Sequence, residues 1–381
     1  MPIGYLITTG LVAGVALAAV KRHRPGRSSP FRLSGGVGVL LNWPLAVFVA
    51  LVGSTALAID QNGVGSPVFW IGLGFTLIAS GGLVVLRGRA QGTGPALERA
   101  LDEGLGADWR ADVDAGLAAR LGRRPSLARV LLAPVSARRR RVERVANIRY
   151  GPARRANLLD LYRDRSDRSG RPVLVHFHPL FGSKRLGTRY LIHRLAAAGW
   201  ICVSANYSRA SDDAFLDPVI DVKKVVAWVR EHASEYGADP SAIFMAGSSL
   251  GGHLASLAAF AAEEPVAGII CLYGYYGDVA RDGSATARLR YATSAAPPCF
   301  VAHGDQDLFV IVDDARGFVE QLRATSSNPV VYAELPGAQH GFDLFRSRRF
   351  DTVIDAIEAF AAHIRSRARE AELVVEAPAA P

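Results

Sequence analysis

The apolar positions divide the chain into stretches of different character. Over the first ninety residues charge is absent for three long runs: Ile3 to Val20, about Val37 to Ile59, and Val68 to Leu86. Each approaches the roughly 20 apolar residues a helix needs to cross a hydrocarbon core. Pro44, Gly72 and Gly74 fall inside these runs, and spanning helices tolerate them. A short polar turn separates the second run from the third, which predicts a hairpin in lipid. The pattern therefore predicts a membrane unit of three transmembrane helices over residues 1–90. A secretory signal is the alternative for the first run, but no positive residue precedes it and the basic cluster follows it.

Residues 91–141 read as an amphipathic and basic linker. Leu97, Leu101, Leu105, Trp109, Val113 and Leu117 recur every four residues, a stripe that suits either the bilayer interface or a dock on the following domain. The run Arg138–Arg141 is either a solvated segment or a contact for anionic headgroups.

From Val142 the pattern becomes an alternation of short apolar runs and helical stretches. Val142–Tyr150 and Leu158–Arg163 predict an antiparallel pair. Strands then follow at Pro172–His178, Trp200–Tyr207, Ile243–Gly247, Val266–Tyr273, Cys299–His303 and Val330–Leu335. Helices are predicted between them at Gly187–Ala198, Pro218–Ser234, Leu250–Glu263 and Asp313–Ala324, with a closing helix at Phe350–Ser366. Such alternation predicts an α/β domain with a mainly parallel, doubly covered sheet over residues 142–368. The Ala/Pro-rich end, 369–381, predicts a disordered tail.

Charge adds a topology. The chain of 381 residues carries a formal net charge of +9. No nucleic-acid motif accompanies it, and the basic runs lie beside the apolar ones, which points to a membrane face and away from nucleic acid. Lys21, Arg22, Arg24, Arg27 and Arg32 follow the first run, while the connection at 60–66 has no Lys or Arg. The positive-inside rule then places the N-terminus outside and everything beyond residue 87 in the cytoplasm, as a multi-pass protein of the cell membrane. Three cysteines, Cys202, Cys271 and Cys299, each sit in an apolar run and read as buried free thiols.

The chemistry concentrates in three strings. Gly247-Ser248-Ser249-Leu250-Gly251 matches G-x-S-x-G, directly after a predicted strand and before a predicted helix. A serine at such a turn is held in a strained backbone and exposed, which makes Ser249 the candidate nucleophile. Leu250 N–H is a candidate oxyanion donor at the helix N-terminus. A serine hydroxyl needs a base and an orienting acid. His340, in Gly337-Ala338-Gln339-His340-Gly341-Phe342, is the candidate base. Asp307, in His303-Gly304-Asp305-Gln306-Asp307, is the candidate acid, with Asp305 its competitor. Both strings follow predicted strands.

The segments YGADPSAIFMAGSSLGGHLASLAA, HGDQDLFV and GAQHGFD resemble the hormone-sensitive-lipase-like branch of the α/β-hydrolases and the related carboxylesterase and feruloyl-esterase-like groups, over roughly Arg171 to Arg365. A membrane unit ahead of such a domain resembles some actinobacterial esterases. The resemblance implies an α/β-hydrolase fold and hydrolysis of carboxylic esters. It also implies that the acid closes an H-G-x-x-D string, which is Asp307. The chain departs from the family at the oxyanion loop. His176-Phe177-His178-Pro179-Leu180-Phe181-Gly182-Ser183 stands where the family carries H-G-G-G, and Pro179 has no N–H. Leu180, Phe181 or Gly182 remain as second donors, with Phe181 and Gly182 preferred.

His176 and His178 lack a carboxylate or thiolate at ligand spacing, so no metal is expected, and the chemistry calls for no cofactor. Asp221 resembles a family position that ties loops together. Tyr275, Tyr276 and Phe342 are the candidate substrate-pocket residues, although Tyr273, Tyr275 and Tyr276, following a strand, suit core packing equally well. The short span from Gly277 to Pro298 suits an accessible pocket. The expected substrate is a small-molecule or lipid ester with a short to medium acyl chain. An acyltransferase or peptidase would use the same three residues, and a catalytically weak hydrolase-fold scaffold is a further alternative.

Overall fold

The computed structural model describes residues 2–21, 39–61, 63–119, 141–166, 169–185, 189–208, 217–262, 265–276 and 296–376. The connection at 22–38, Arg138 to Arg140 of the basic run, and most of the Gly277–Pro298 span lie outside these residues.

The N-terminal runs form helices α1 (Pro2–Val20), α2 (Pro44–Asp60) and α3 (Pro67–Ala90). Pro opens α2 and α3, where its missing N–H leaves no helical bond unmade, and the Ser66 side chain caps α3 by accepting from Val68 N–H. The helices pack through small residues. Ala13, Ala16, Ala19 and Ala79 are buried, and a Cβ added to Gly82 would lie 3.0 Å from that of Ala16. Arg89, at the end of α3, donates to the carbonyls of Ala19 (3.0 Å) and Val20 (2.6 Å), so α1 and α3 run in the same direction. Tyr5 hydroxyl joins the other ends, bonding Thr55 on α2 and Thr76 on α3. Two segments, Ile3–Val20 and the one beginning at Pro67, are long and apolar enough to cross a membrane; α2, with 17 residues, is a shorter apolar helix.

Beyond α3 the stripe residues build the next unit. Helix α4 (Thr93–Leu105) lies against the sheet, and Leu97, Leu101, Trp109 and Leu117 enter the same buried cluster as Phe244, Phe300 and Phe360. Of the two settings open to the stripe, it takes the dock on the domain. Its apolar face shares that cluster with residues of the sheet and of the C-terminal helix, so the folded unit draws its core from residue 93 onward rather than from Val142.

Eight strands follow: β1 (Val142–Arg149), β2 (Leu158–Asp164), β3 (Arg171–Phe177), β4 (Ile201–Ala205), β5 (Ala238–Ser248), β6 (Gly268–Leu272), β7 (Cys299–Gly304) and β8 (Val330–Leu335). They form one sheet in the order β1-β2-β4-β3-β5-β6-β7-β8, antiparallel where β2 meets β1 and β4 and parallel elsewhere. Helices α5 (Arg189–Ala197), α6 (Asp217–Glu231), α7 (Leu250–Phe260), α8 (Val312–Thr325) and α9 (Arg348–Glu376) cover it. Successive strand residues feed opposite layers, as the two-residue period demands. Leu174, Phe244 and Phe300 pack on the layer containing α4, α5 and α9; Val173, Val175, Ile243 and Met245 pack on the layer of α6, α7 and α8. The two layers give this unit the α/β-hydrolase architecture.

One expected boundary shifts. α9 continues to Glu376, through residues expected to be disordered. Ala, Arg, Glu and Leu there are strong helix formers, and Arg367 pairs with Glu370 at 3.0 Å one turn on.

Candidate active site

β3 and β5 lie side by side at the switch in strand order, with Phe177 opposite Gly247. An open α/β sheet leaves a crevice at such a point, beyond the carboxyl ends of its strands. The chain leaves β5 through Ser249, whose backbone (φ 55°, ψ −121°) is a conformation L-residues rarely adopt. Its N–H donates to Leu272 carbonyl at 3.0 Å, which helps hold the turn. Glycine is required on both sides of the turn. A Cβ on Gly247 would approach Gly251 to 2.2 Å, and one on Gly251 would approach Phe177 carbonyl to 2.2 Å.

Three side chains from three loops meet here. His340 Nε2 lies 3.1 Å from Ser249 Oγ, and His340 Nδ1 lies 2.8 Å from Asp307 Oδ2. Asp307 Oδ1 accepts from the N–H groups of Phe309 and Val310, both at 2.8 Å. The carboxylate is buried. Burial pushes it up, but the His340 and His303 rings and the Val310 N–H outweigh that and hold it below its ordinary value. Asp305 does a different job. It accepts from Gly337 N–H at 2.7 Å and so pins the turn that leads to His340. That turn is bounded by Gly337 (φ 67°) and Gly341 (φ 69°).

Around this relay the structure redistributes several expected roles. Leu250 opens α7, so its N–H has no acceptor one turn back within the helix. Gly182 N–H is already used, donating to Pro179 carbonyl at 2.8 Å to close a turn, and Gly182 is therefore not a free oxyanion donor. Phe181, at the centre of that turn, is 84% exposed. Phe342 is not a pocket residue. It is fully buried and packs edge-on to Tyr273 and Phe350. Tyr276 stacks on Phe318 of α8 at 4.2 Å, in the opposite layer of the core, and Tyr275 sits edge-on to His253. Aromatic residues after a strand satisfy the core first, because that is where their area gains most. The exposed aromatic that does touch the relay is Phe309, 5.1 Å from the His340 ring.

Asp221 ties Ser208 down through both its N–H (3.0 Å) and hydroxyl (2.6 Å). His178 stacks on Tyr207, and burial pushes the His176 imidazole down to about 3. Among the described residues no His/Cys/Asp/Glu group of metal-binding size occurs. The three cysteines are buried and unbridged.

Two supports were invisible to sequence reasoning. Asp343 lies behind the nucleophile turn, accepting from Ser248 hydroxyl at 2.7 Å and from Tyr273 hydroxyl. Burial raises its carboxyl above the ordinary range despite those two donors. The other support is Asn42, before α2. Its amide donates to His340 carbonyl at 2.9 Å and to Gln339 carbonyl at 3.3 Å, and its oxygen accepts from Gln339 N–H at 3.0 Å. The only local signal for Asp343 was its place three residues after His340; for Asn42 there was none.

The BD-FAE family model matches residues 159–271. The chain is 34% identical to "Probable carboxylic ester hydrolase LipM" of Mycobacterium tuberculosis, over 95% of this chain and 93% of that protein. It is 32% identical to "Esterase LipQ" of the same organism, over 76% of this chain and 80% of that protein. Among solved structures it is similar to a bacterial heroin esterase (TM-score 0.49, 19% identity, 67% of this chain and 98% of that one). The likeness to LipM covers 95% of this chain, and the chain belongs to the carboxylesterases of the α/β-hydrolase fold.

Proposed function

We propose that the chain is a membrane-anchored serine esterase that cleaves apolar esters through an acyl-enzyme. The observation that carries the mechanism is the unbroken contact from Asp307 to His340 to Ser249. Ser249 Oγ attacks the ester carbonyl while His340 Nε2 takes its proton. Negative charge develops on the carbonyl oxygen, where Leu250 N–H and an N–H of the Leu180–Phe181 turn serve as donors. As the intermediate collapses, the ester C–O bond breaks and His340 returns the proton to the departing alcohol. Water then attacks the acyl-serine by the same route, and the acid and free Ser249 are released. Asp307 keeps Nδ1 protonated and the ring oriented throughout. Phe309, Phe181 and Leu344, all exposed around His340 and the oxyanion turn, suit an apolar acyl group.

Ser249→Ala is expected to abolish hydrolysis of chromogenic esters and labelling by a fluorophosphonate. Ser248→Ala should keep the labelling, with reduced stability because Asp343 loses a donor. Loss of labelling in Ser248→Ala alone would assign the nucleophile to the wrong serine.

The anchoring is supported by the outer surface of α1–α3. Ile7, Leu11, Val49, Ile71, Leu77 and Val84 are each more than half exposed, an arrangement costly in water and natural in lipid. The end of α1, the start of α2 and the end of α3 all lie on the side of the catalytic unit, which suits three spans with the Lys/Arg-rich connection and the esterase on one face. The charge bias makes that face cytoplasmic. A fluorescent reporter fused after Pro381 should therefore light up in the cytoplasm, and an exported phosphatase fused there should stay inactive. An active phosphatase would reverse the topology.

A further inference from the structure

Between the catalytic-side ends of α2 and α3 and the sheet-bearing unit lies a cavity of about 420 Å³. No step of ester hydrolysis uses it. Its size is that of a small-molecule site, which typically spans about 300–1,000 Å³. The first turns of two helices, α4 at Thr93 and α9 at Arg348, border it, bringing the positive ends of two helix dipoles together.

The side chains there are short of an anion. Arg349 is only 7% exposed, yet among the described residues its hydrogen-bonded partners, Pro336 carbonyl (2.9 Å) and Asn42 Oδ1 (3.4 Å), are neutral, and its Nε has none. A buried cation hydrogen-bonded to neutral oxygens is costly, and burial pushes this guanidinium down to about 10, with the Asp305 carboxylate opposing in part. Among the described residues Thr93 hydroxyl, in a residue 2% exposed, also lacks a partner, as do Trp43 Nε1 and Arg348 Nε. Arg87 stands at the lip. Two carboxylates line the same space: Asp355, held by Arg194, and the exposed Glu98. Arg87, Arg348 and Arg349 against these two leave the lining itself one positive charge over, while Asp305 attracts Arg349 from outside it. Toward the helices the lining turns apolar, with Leu41, Pro44, Leu45 and Leu86.

We infer that this cavity binds the phosphate headgroup of an anionic phospholipid whose acyl chains lie along α2 and α3. The inference rests on the membrane reading of those helices. Arginine forks and helix N-termini match phosphate oxygens, and the apolar end matches the glycerol and the first methylenes, which free phosphate would leave uncovered. The site also reaches the catalytic loop, because Arg349 bonds Asn42 and Asn42 bonds the carbonyls of Gln339 and His340. Lipid in the cavity therefore steadies the base and ties ester hydrolysis to the composition of the membrane.

The full chain in a non-ionic detergent, followed by native mass spectrometry, tests the site with phosphatidylglycerol, phosphatidylcholine and inorganic phosphate. One phosphatidylglycerol should be retained per chain, with phosphatidylcholine bound roughly tenfold more weakly or worse. Arg87→Gln with Arg348→Gln should weaken phosphatidylglycerol by a similar factor and phosphatidylcholine less, so that the preference for the anionic lipid narrows. Arg87→Gln alone, an exposed change with little bearing on folding, should shift binding in the same direction. Phosphatidylglycerol should also raise kcat on a soluble ester in the wild-type chain and not in the double variant. Equal binding of the two lipids, indifference of both variants, or displacement of phosphatidylglycerol by equimolar inorganic phosphate would overturn the site. Flotation with pure phosphatidylcholine vesicles separates the two readings. A chain that floats but shows no preference for the anionic lipid loses the cavity and keeps its anchor, whereas a chain that does not float loses both.

Discussion

The helices α1–α3 and the sheet-bearing unit solve the same packing problem in opposite ways. In the sheet unit the large residues are inside: Phe177, Phe244, Phe300 and Phe360 are fully buried among aliphatic neighbours. In the helical unit small residues, Ala13, Ala16, Ala79 and Gly82, share the inside with a few large ones such as Phe69 and Leu83, while Ile7, Leu77 and Val84 face out. Water drives the first arrangement, since each buried side chain removes apolar area from it. Under the proposed membrane reading the surroundings of the second offer no such drive, and close backbone approach with internal hydrogen bonds such as those of Tyr5 holds it. The two packing arrangements meet at Leu308, which packs with Leu41, Leu83 and Leu86 one residue after Asp307, the candidate acid. An active-site loop is thus built partly from helices that the chemistry itself does not need.

The largest expected effect lies at that meeting point. Asp307→Asn should lower kcat by about 10⁴, the loss documented for the same change in another serine triad. Asp305→Asn, which loosens the turn before His340 without touching the ring, should cost far less. A ranking in the other order would move the acid role to Asp305. A smaller effect separates the two packing regimes directly. Leu101→Ala should lower the stability of the full chain in detergent by about 2–5 kcal/mol, because a buried side chain leaves a cavity. Leu77→Ala, which empties only the outer face of α3, should stay within about 0.5 kcal/mol. Equal losses in thermal unfolding would mean that the outer face of α3 is covered by protein.

The smallest concerns pH and the layer of α9. Burial raises the Asp355 carboxyl from 3.8 to about 6, with Arg194 opposing. A raised folded value means the native state holds this proton while the unfolded chain has lost it. Its contribution is fully present below about pH 4 and fades as pH rises through about 6. In Asp355→Asn the downward slope of stability between those values should flatten. An unchanged slope would place its origin at another carboxyl.

Local signals were readable wherever one short segment contains the whole device. The two-residue strand period, the G-x-S-x-G turn with its close backbone approaches, and the order of acid before histidine all belong to that kind. Roles that depend on facing a distant partner were not. Asp305 and Asp307 share one loop and one chemistry; the family resemblance preferred Asp307, but only the fold gives the first its partner, Gly337 N–H, and aims the second at His340. Phe342, Tyr276 and Gly182 suited the site by type and place in the chain. The core took the first two, and a local turn took the N–H of the third.

The sequence by itself determined the apolar N-terminal helices, the alternating strands and helices of the hydrolase unit, and the three residue types of the relay. Each depends on periodicity or composition within a few turns of chain. Tertiary structure alone decided that the stripe from Leu97 to Leu117 joins the hydrolase core, that Asp343 braces the nucleophile turn, and that Asn42 holds the loop of a histidine 298 residues further on. Those contacts carry no local pattern. They arise because buried backbone carbonyls and uncovered apolar faces must find partners, and the partners are whatever the completed fold brings within reach.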